Sequence, residues 1–215
     1  MLAHRGASRA AAENTPEAFR LALTLGADGV ELDTRRAGQG ELVVFHDAVL
    51  AGTPVRRLVQ PPLPGLVAAL DASAGGIVNV ELKTDGDVPG GVAAALCALL
   101  ARRGARDKVL ASSFDSAALR TVRALRPDIP TALVVGADGD VGAALREAVR
   151  LRHRALHPSA ELVDRALVGR ARSLGLALNV WTVNDPDEVH RLAKLGIDGV
   201  ITDVPDVALA VLAVL

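Results

Sequence analysis

Gly29-Val30-Glu31-Leu32-Asp33 reads as a short apolar strand whose last residues carry two carboxylates. Side chains alternate across a strand, so Glu31 and Asp33 point the same way, roughly 6.5–7 Å apart along the backbone. Two acids facing one point repel each other unless something positive sits between them. A divalent cation with oxygen ligands meets that requirement. The plain alternative is a solvated strand end with two exposed acids, and the rest of the chain decides between them.

The chain around this stretch alternates short β-like runs with helical patterns. Strands are expected at about Leu2–His4, Gly29–Asp33, Ile77–Lys83, Val109–Ser113, Thr131–Val135, Ala155–His157, Ala177–Val183 and Gly199–Thr202. Helical patterns follow at Pro16–Leu25, Pro64–Ala72, Pro89–Arg103, Ser116–Leu125, Val141–Leu151, Glu161–Leu174, Asp187–Leu195 and Asp206–Leu215. Thr15 before Pro16 and Asp185 before Pro186 have the chemistry of helix N-caps. Strands each followed by a helix predict an α/β fold, a closed (β/α)8 TIM barrel, in a single domain over residues 1–215. An open doubly wound sheet is the competitor, but no glycine-rich GxGxxG opens the first helix. One segment breaks the rhythm. Glu41–His46 reads as a short extra strand after strand 2, and Ala48 to Pro64 follows as a loop with four prolines.

Half of the 215 residues are hydrophobic and the formal net charge is −1, so the chain has no electrostatic footprint for nucleic acid or a membrane surface. Its mean hydropathy of +0.31 comes from Ala, Val and Leu. The longest apolar runs, such as Val207–Leu215, fall short of the ~18 residues of a membrane span, so no integral membrane segment is expected. Met1-Leu2-Ala3-His4 does not begin an export signal, and Cys97 is the only cysteine. A cytoplasmic protein is expected.

A barrel of this kind keeps its chemistry at the carboxyl ends of its strands. His4-Arg5 ends the first, Glu31 and Asp33 the second, Glu81 and Lys83 the third, and His46-Asp47 the extra strand. Glu81 and Lys83 repeat the i, i+2 spacing and face one side. Charges pointing into a barrel end are costly unless paired or bound to a ligand. Trp181, the only tryptophan, stands at the end of the seventh strand, where it could stack on a ligand or pack. Asn14 either caps the first helix or touches ligand. Asn184 reads as a helix cap or as a support for Trp181, and Asp203 as a cap or brace at the barrel mouth. His153, His157 and His190 read as surface or turn histidines. A second stretch, Leu195 to Asp203, echoes Leu25 to Asp33 in helix end, glycine turn and strand, with Ile201 where Glu31 stands.

His4-Arg5-Gly6, Glu13-Asn14-Thr15, Gly26-Ala27-Asp28, Glu31-x-Asp33, His46-Asp47, Glu81-x-Lys83, Trp181-Thr182-Val183-Asn184 and Thr202-Asp203 occur in this order. The ordered set resembles the glycerophosphodiester phosphodiesterase family over essentially the whole chain. The resemblance implies a TIM barrel that hydrolyses glycerophosphodiesters to sn-glycerol 3-phosphate and an alcohol. It implies a divalent cation, Mg²⁺ or Ca²⁺, held at Glu31, Asp33 and Glu81, with His4 and His46 as the acid–base pair. It also implies attack by a substrate hydroxyl through a cyclic phosphate before water.

The residue chemistry agrees. Cleaving a phosphodiester means stabilising charge on non-bridging oxygens, which the metal, Lys83 and Arg5 can do, while two histidines move protons. Arg5, Lys83, Trp181 and Asn14 are accordingly the candidate substrate contacts. The chain departs from the family pattern in a shorter segment after His46-Asp47, in Pro64-Gly65-Leu66 where Pro-Thr-Leu is usual, and in Ala12 where a proline is common. The shorter segment should leave the site more open and alter headgroup selectivity. A phospholipase C-type enzyme or lysophospholipase D on the same barrel would need an apolar rim, for which residues 48–64 offer Val49, Leu50, Val55, Leu58 and Val59. A non-catalytic barrel for phosphorylated ligands would tolerate loss of a histidine or an acid, and none is lost. Neither the leaving alcohol nor the oligomeric state is assigned.

Overall fold

A computed structural model describes residues 1–85, 87–104 and 108–215. The strands are β1 (Leu2–His4), β2 (Gly29–Arg36), β3 (Leu42–Val44), β4 (Val49–Leu50), β5 (Thr53–Pro54), β6 (Ile77–Leu82), β7 (Lys108–Ser113), β8 (Thr131–Val135), β9 (Ala155–Pro158), β10 (Ala177–Val180) and β11 (Gly199–Thr202). The α-helices are α1 (Pro16–Thr24), α2 (Leu66–Ala72), α3 (Gly91–Arg103), α4 (Ser116–Leu125), α5 (Val141–Arg150), α6 (Arg165–Ser173), α7 (Pro186–Leu195) and α8 (Pro205–Leu212). β1 pairs in parallel with both β2 and β11, which closes β1, β2 and β6–β11 into an eight-stranded parallel barrel. The fold is the expected TIM barrel.

Alternation along the strands divides the residues between two surroundings. On β2 and β6, Val30, Leu32, Val78, Val80 and Leu82 face outward and pack with Phe19 and Ala22 of α1 and Leu66, Ala69 and Leu70 of α2. Each fully buried Leu or Phe in that layer contributes about 1.5–3 kcal/mol. The intervening residues, Glu31, Asp33, Asn79 and Glu81, are thereby turned to the barrel's inside. The helices are anchored by side-chain caps: Thr15, Asp115, Asp140, Asp164 and Asp185 each accept a backbone N–H in the first turn of α1, α4, α5, α6 and α7. Such a cap is worth about 1 kcal/mol.

Several boundaries differ from the sequence expectation for identifiable reasons. β2 continues past Asp33 to Arg36 because Thr34, Arg35 and Arg36 pair antiparallel with Val44, Val43 and Leu42 of β3. The proline-rich segment is not a featureless loop. It holds the β4–β5 hairpin and a 3₁₀ turn at Val55–Arg57, with Val55 buried against Ala37 and Val43. α2 and α3 start two residues later than expected, at Leu66 and Gly91. Asp164 caps α6, so residues 160–162 form a separate 3₁₀ turn. α8 stops at Leu212. β10 ends at Val180, and Trp181 keeps one bridge to Ser159.

Two glycines test this packing in opposite directions. A Cβ on Gly29 would lie 2.0 Å from the Ile77 carbonyl oxygen, a backbone atom in the neighbouring strand. A Cβ on Gly169, inside α6, would meet nothing within 4 Å. Gly29→Ala is therefore expected to cost about 2 kcal/mol or more and lower Tm by at least ~4 °C. Gly169→Ala should raise Tm by ~2–4 °C, because Ala outscores Gly by about 1 kcal/mol in a helix. Thermal melts of the two variants check both signs.

Candidate active site

The strand register brings the candidate residues together. His4 on β1 is level with Glu31 on β2, Glu31 with Asn79 on β6, and Asp33 with Glu81. Glu31, Asp33 and Glu81 each offer a carboxylate oxygen, and those atoms lie within 4.8 Å of one another. The Glu31 and Asp33 side chains are almost sealed from water, at 4% and 2% exposure, and Glu81 is 13% exposed. Lys83 continues the β6 alignment by donating its N–H to the Thr34 carbonyl at 3.0 Å. Its ammonium lies 3.0 Å from Asp33 Oδ1 and 2.6 Å from Glu81 Oε1.

The loop after β1 wraps the other side of the acids. Arg5 and Asn14 adopt left-handed backbone, with φ of 56° and 58°, a conformation that costs a non-glycine residue of order 1 kcal/mol or more. Gly6 follows at φ 84°, where a Cβ would lie 2.7 Å from the Ala18 backbone. In this geometry the Arg5 N–H donates to Glu31 Oε2 at 3.1 Å. The Arg5 guanidinium spans Asp33, at 3.2 Å, and Glu13, at 2.9 and 3.0 Å. Asn14 Nδ2 donates to Asp33 Oδ2 at 2.9 Å, and its Oδ1 accepts the Asp33 N–H at 3.2 Å. Asn14, a candidate substrate contact, thus holds Asp33 with both ends of its amide.

Electrostatics within the cluster are unequal. Burial pushes the Glu31 carboxyl well above the usual range, and repulsion from Asp33 and Glu81 pushes it further. Burial also raises Glu81, with Lys83 opposing and Asp33 adding to the shift. Asp33 goes the other way: against burial, Lys83, Asn14 and Arg5 hold its carboxyl below the usual range. Lys83 is raised by Asp33 and Glu81 although burial favours the neutral amine. Three carboxylates face Lys83 and an Arg5 guanidinium that is shared with Glu13, so acidic groups outnumber cations in the cluster. Among the described residues, Glu31 Oε1 is also buried without a hydrogen-bond partner. An all-oxygen donor set with an unsatisfied buried oxygen fits a hard divalent cation.

The two expected histidines flank the acids. His4 Nε2 lies 3.9 Å from Glu31 Oε2, and its Nδ1 lies 2.6 Å from Asp203 Oδ1. His46 follows Phe45, whose N–H donates to the Asp33 carbonyl at 3.0 Å, and it slightly opposes the rise of the Glu81 carboxyl. Its Nδ1 lies 2.8 Å from Asp47 Oδ1, and its carbonyl accepts Nε and Nη2 of Arg35 at 2.9 and 2.6 Å. On another side stands an aromatic pair. Trp181 and Phe114 meet edge to face at 5.6 Å, with the Lys83 ammonium 6.0 Å from the centre of the Phe114 ring. Phe114 was not a candidate, although its place directly after β7 marks it as a strand-exit residue.

Three readings change and one is narrowed. His153 and His157, expected at the surface or in turns, are 5% and 1% exposed. His157 lies on β9 inside the barrel with Nε2 2.9 Å from Asn179 Nδ2, and burial pushes its pKa down to about 3. His153 pairs with Thr131 Oγ1 at 2.8 Å, and burial, aided by Arg123, lowers it to about 4. Both rings are therefore neutral near pH 7. Asn184 caps no helix, and among the described residues it makes no hydrogen bond to Trp181. Its side chain bonds Asp203 and Thr202, because Asp185 already caps α7. Asp203 caps no helix but braces the barrel mouth, the other role expected of it, through His4, Ser8 and Asn184. His190 is exposed, as expected.

Comparison with known proteins places this geometry. A model of the glycerophosphoryl diester phosphodiesterase family matches residues 4–72 and 77–207. A glycerophosphodiester phosphodiesterase of Caldanaerobacter subterraneus is 29% identical, covering 96% of this chain and 94% of the relative. The structure of an Oleispira antarctica phosphodiesterase in complex with the product sn-glycerol-3-phosphate superimposes with a TM-score of 0.89 at 28% identity, covering 99% and 96% of the two chains. A glycerophosphodiester phosphodiesterase from Thermotoga maritima superimposes with a TM-score of 0.81 at 28% identity, covering 97% and 96%. With nearly its whole length matched, the chain belongs to the glycerophosphoryl diester phosphodiesterase family.

Proposed function

We propose that this glycerophosphodiester phosphodiesterase hydrolyses its substrates to sn-glycerol 3-phosphate and an alcohol with a divalent cation, Mg²⁺ or Ca²⁺, and two histidines. The observation that carries the reading is the convergence of Glu31, Asp33 and Glu81 within 4.8 Å, flanked by His4 and His46. The Oleispira antarctica enzyme, similar over nearly its whole length, was solved with sn-glycerol-3-phosphate bound, which supports the product assignment. Among the described residues no helix is long and apolar enough to cross a membrane. Cys97 is buried and unpaired, in keeping with a cytoplasmic place of action.

Glu31, Asp33 and Glu81 would hold the cation, whose chemistry is to neutralise charge on the non-bridging phosphate oxygens. With a cation bound, the cluster would offset the negative charge of a phosphodiester instead of repelling it. Lys83 and Arg5 add donors aimed at the same oxygens as charge accumulates there. One histidine takes a proton from the attacking hydroxyl and the other gives one to the leaving alkoxide, His4 through Nε2 because its Nδ1 is engaged by Asp203. Trp181 and Phe114 offer an apolar wall for the glycerol carbons. Asn14 and Glu13 keep Asp33 and Arg5 in place.

With glycerophosphocholine as substrate, chelation by EDTA should abolish glycerol 3-phosphate release, and added Mg²⁺ or Ca²⁺ should restore it. His4→Ala and His46→Ala should each lower kcat by at least ~100-fold, the usual share of general acid–base catalysis. Product that persists in EDTA, or in both variants, would contradict this mechanism. Turnover of a lysophospholipid instead of glycerophosphocholine would favour the phospholipase-type reading.

A further inference from the structure

His4 is held by a residue from the opposite end of the chain. Barrel closure pairs β1 with β11 and brings Asp203 Oδ1 to 2.6 Å from His4 Nδ1, across 199 residues of sequence. The carboxylate is itself fixed on several sides. Ser8 Oγ donates to Oδ1 at 3.0 Å and Asn184 Nδ2 donates to Oδ2 at 2.6 Å. Asn184 Oδ1 in turn accepts the Asp203 N–H at 2.8 Å and the Thr202 hydroxyl at 3.1 Å. No lysine or arginine ion pair is recorded for Asp203 among the described residues, and it stands outside the Glu31–Asp33–Glu81 cluster. A half-buried carboxylate supported by neutral donors and directed at one imidazole has little reason to exist as packing.

We propose that Asp203 is the positioning residue for His4, accepting the Nδ1 proton so that the ring presents Nε2 to the reacting phosphate oxygens. The proposal rests on the reading of His4 as one of the acid–base pair. Asp203 is a suitable acceptor: against burial, the bonds from His4 and Asn184 bring its carboxyl down to about 2, so it stays ionised and can only accept. The shared proton therefore sits on His4 Nδ1. Nε2 is left pointing toward the acid cluster at 3.9 Å from Glu31, beyond hydrogen-bond length and free to engage substrate. His46 lacks this support. Its partner Asp47 is its sequence neighbour, and the two side chains are 39% and 69% exposed, a setting in which an ion pair is worth little. His4 is thus the fixed member of the pair and His46 the loose one.

The test compares wild type, His4→Ala and Asp203→Asn on glycerophosphocholine with saturating divalent cation. It adds the two-bond ¹H–¹⁵N correlation spectrum of the neutral His4 ring. The amide in Asp203→Asn offers one acceptor atom where three donors converge, so the ring should lose its single orientation. We expect kcat to fall at least ~100-fold, toward the ~10⁴ that the analogous change costs in a serine protease. KM should stay within about threefold and Tm within a few degrees, and the wild-type ring should carry its proton on Nδ1. Near-normal kcat in Asp203→Asn while His4→Ala is inactive would overturn the positioning role alone. Full activity in His4→Ala would overturn the acid–base assignment and this proposal together. A wild-type neutral ring protonated on Nε2 would refute the proposal whether or not the Asn variant folds.

Discussion

Three carboxylates within 4.8 Å of one another, two of them nearly sealed from water, are the constraint around which this barrel is arranged. Burying even one such charge costs several kcal/mol unless it is neutralised. Lys83 and Arg5 neutralise part of the cluster, Asn14 satisfies Asp33, and the backbone N–H of Arg5 satisfies one oxygen of Glu31. What remains is an excess of acidic groups over cations and, among the described residues, the unpartnered Glu31 Oε1. The left-handed backbone at Arg5 and Asn14 belongs to the same arrangement, because it turns the β1 loop back onto Glu31 and Asp33. A fold selected for stability alone would not keep this cluster, whereas an oxygen-ligated cation would complete it.

The barrel supplies the precision that such a site needs. Parallel register fixes His4 beside Glu31 and Asp33 beside Glu81, and strand alternation turns the acids inward while Val30, Leu32, Val78 and Val80 pack against the helices. Closure between β1 and β11 then delivers Asp203 to His4, and the exits of β7 and β10 deliver Phe114 and Trp181 to each other. Residues scattered over the whole chain share one mouth because each belongs to a strand end.

Local signals made much of this legible. The eight-fold alternation of strand and helix is visible because caps such as Thr15 and Asp185 and the glycines after helices mark the boundaries. Glu31 with Asp33, and Glu81 with Lys83, are readable as pairs because two-residue spacing has one meaning in a strand. The remainder depends on partners far away in sequence. Thr34–Arg36 look too polar for a strand and become one only because β3 pairs with them. His157 and His153 look like surface residues until Asn179 and Thr131, each 22 positions away, satisfy them in the interior. Asp203 has no neighbour in sequence that reveals its role, since its partner lies 199 residues off. The echo of Leu25–Asp33 in Leu195–Asp203 has a structural outcome too: each stretch ends in an Asp at the barrel mouth, Asp33 within β2 facing Lys83 and Asp203 just after β11 facing His4.

The central claim is that the carboxylate cluster is incomplete without a cation, and thermal unfolding of metal-free protein tests it most directly. In EDTA, Glu31→Gln should melt at or above wild type, because it removes an uncompensated buried charge. Cation added at about 100 times its Kd should stabilise wild type by about 2.7 kcal/mol, raising Tm by roughly 5–10 °C, and should leave Glu31→Gln nearly unmoved. A wild-type Tm indifferent to Mg²⁺ and Ca²⁺, or a Glu31→Gln protein much less stable than wild type in EDTA, would contradict the account.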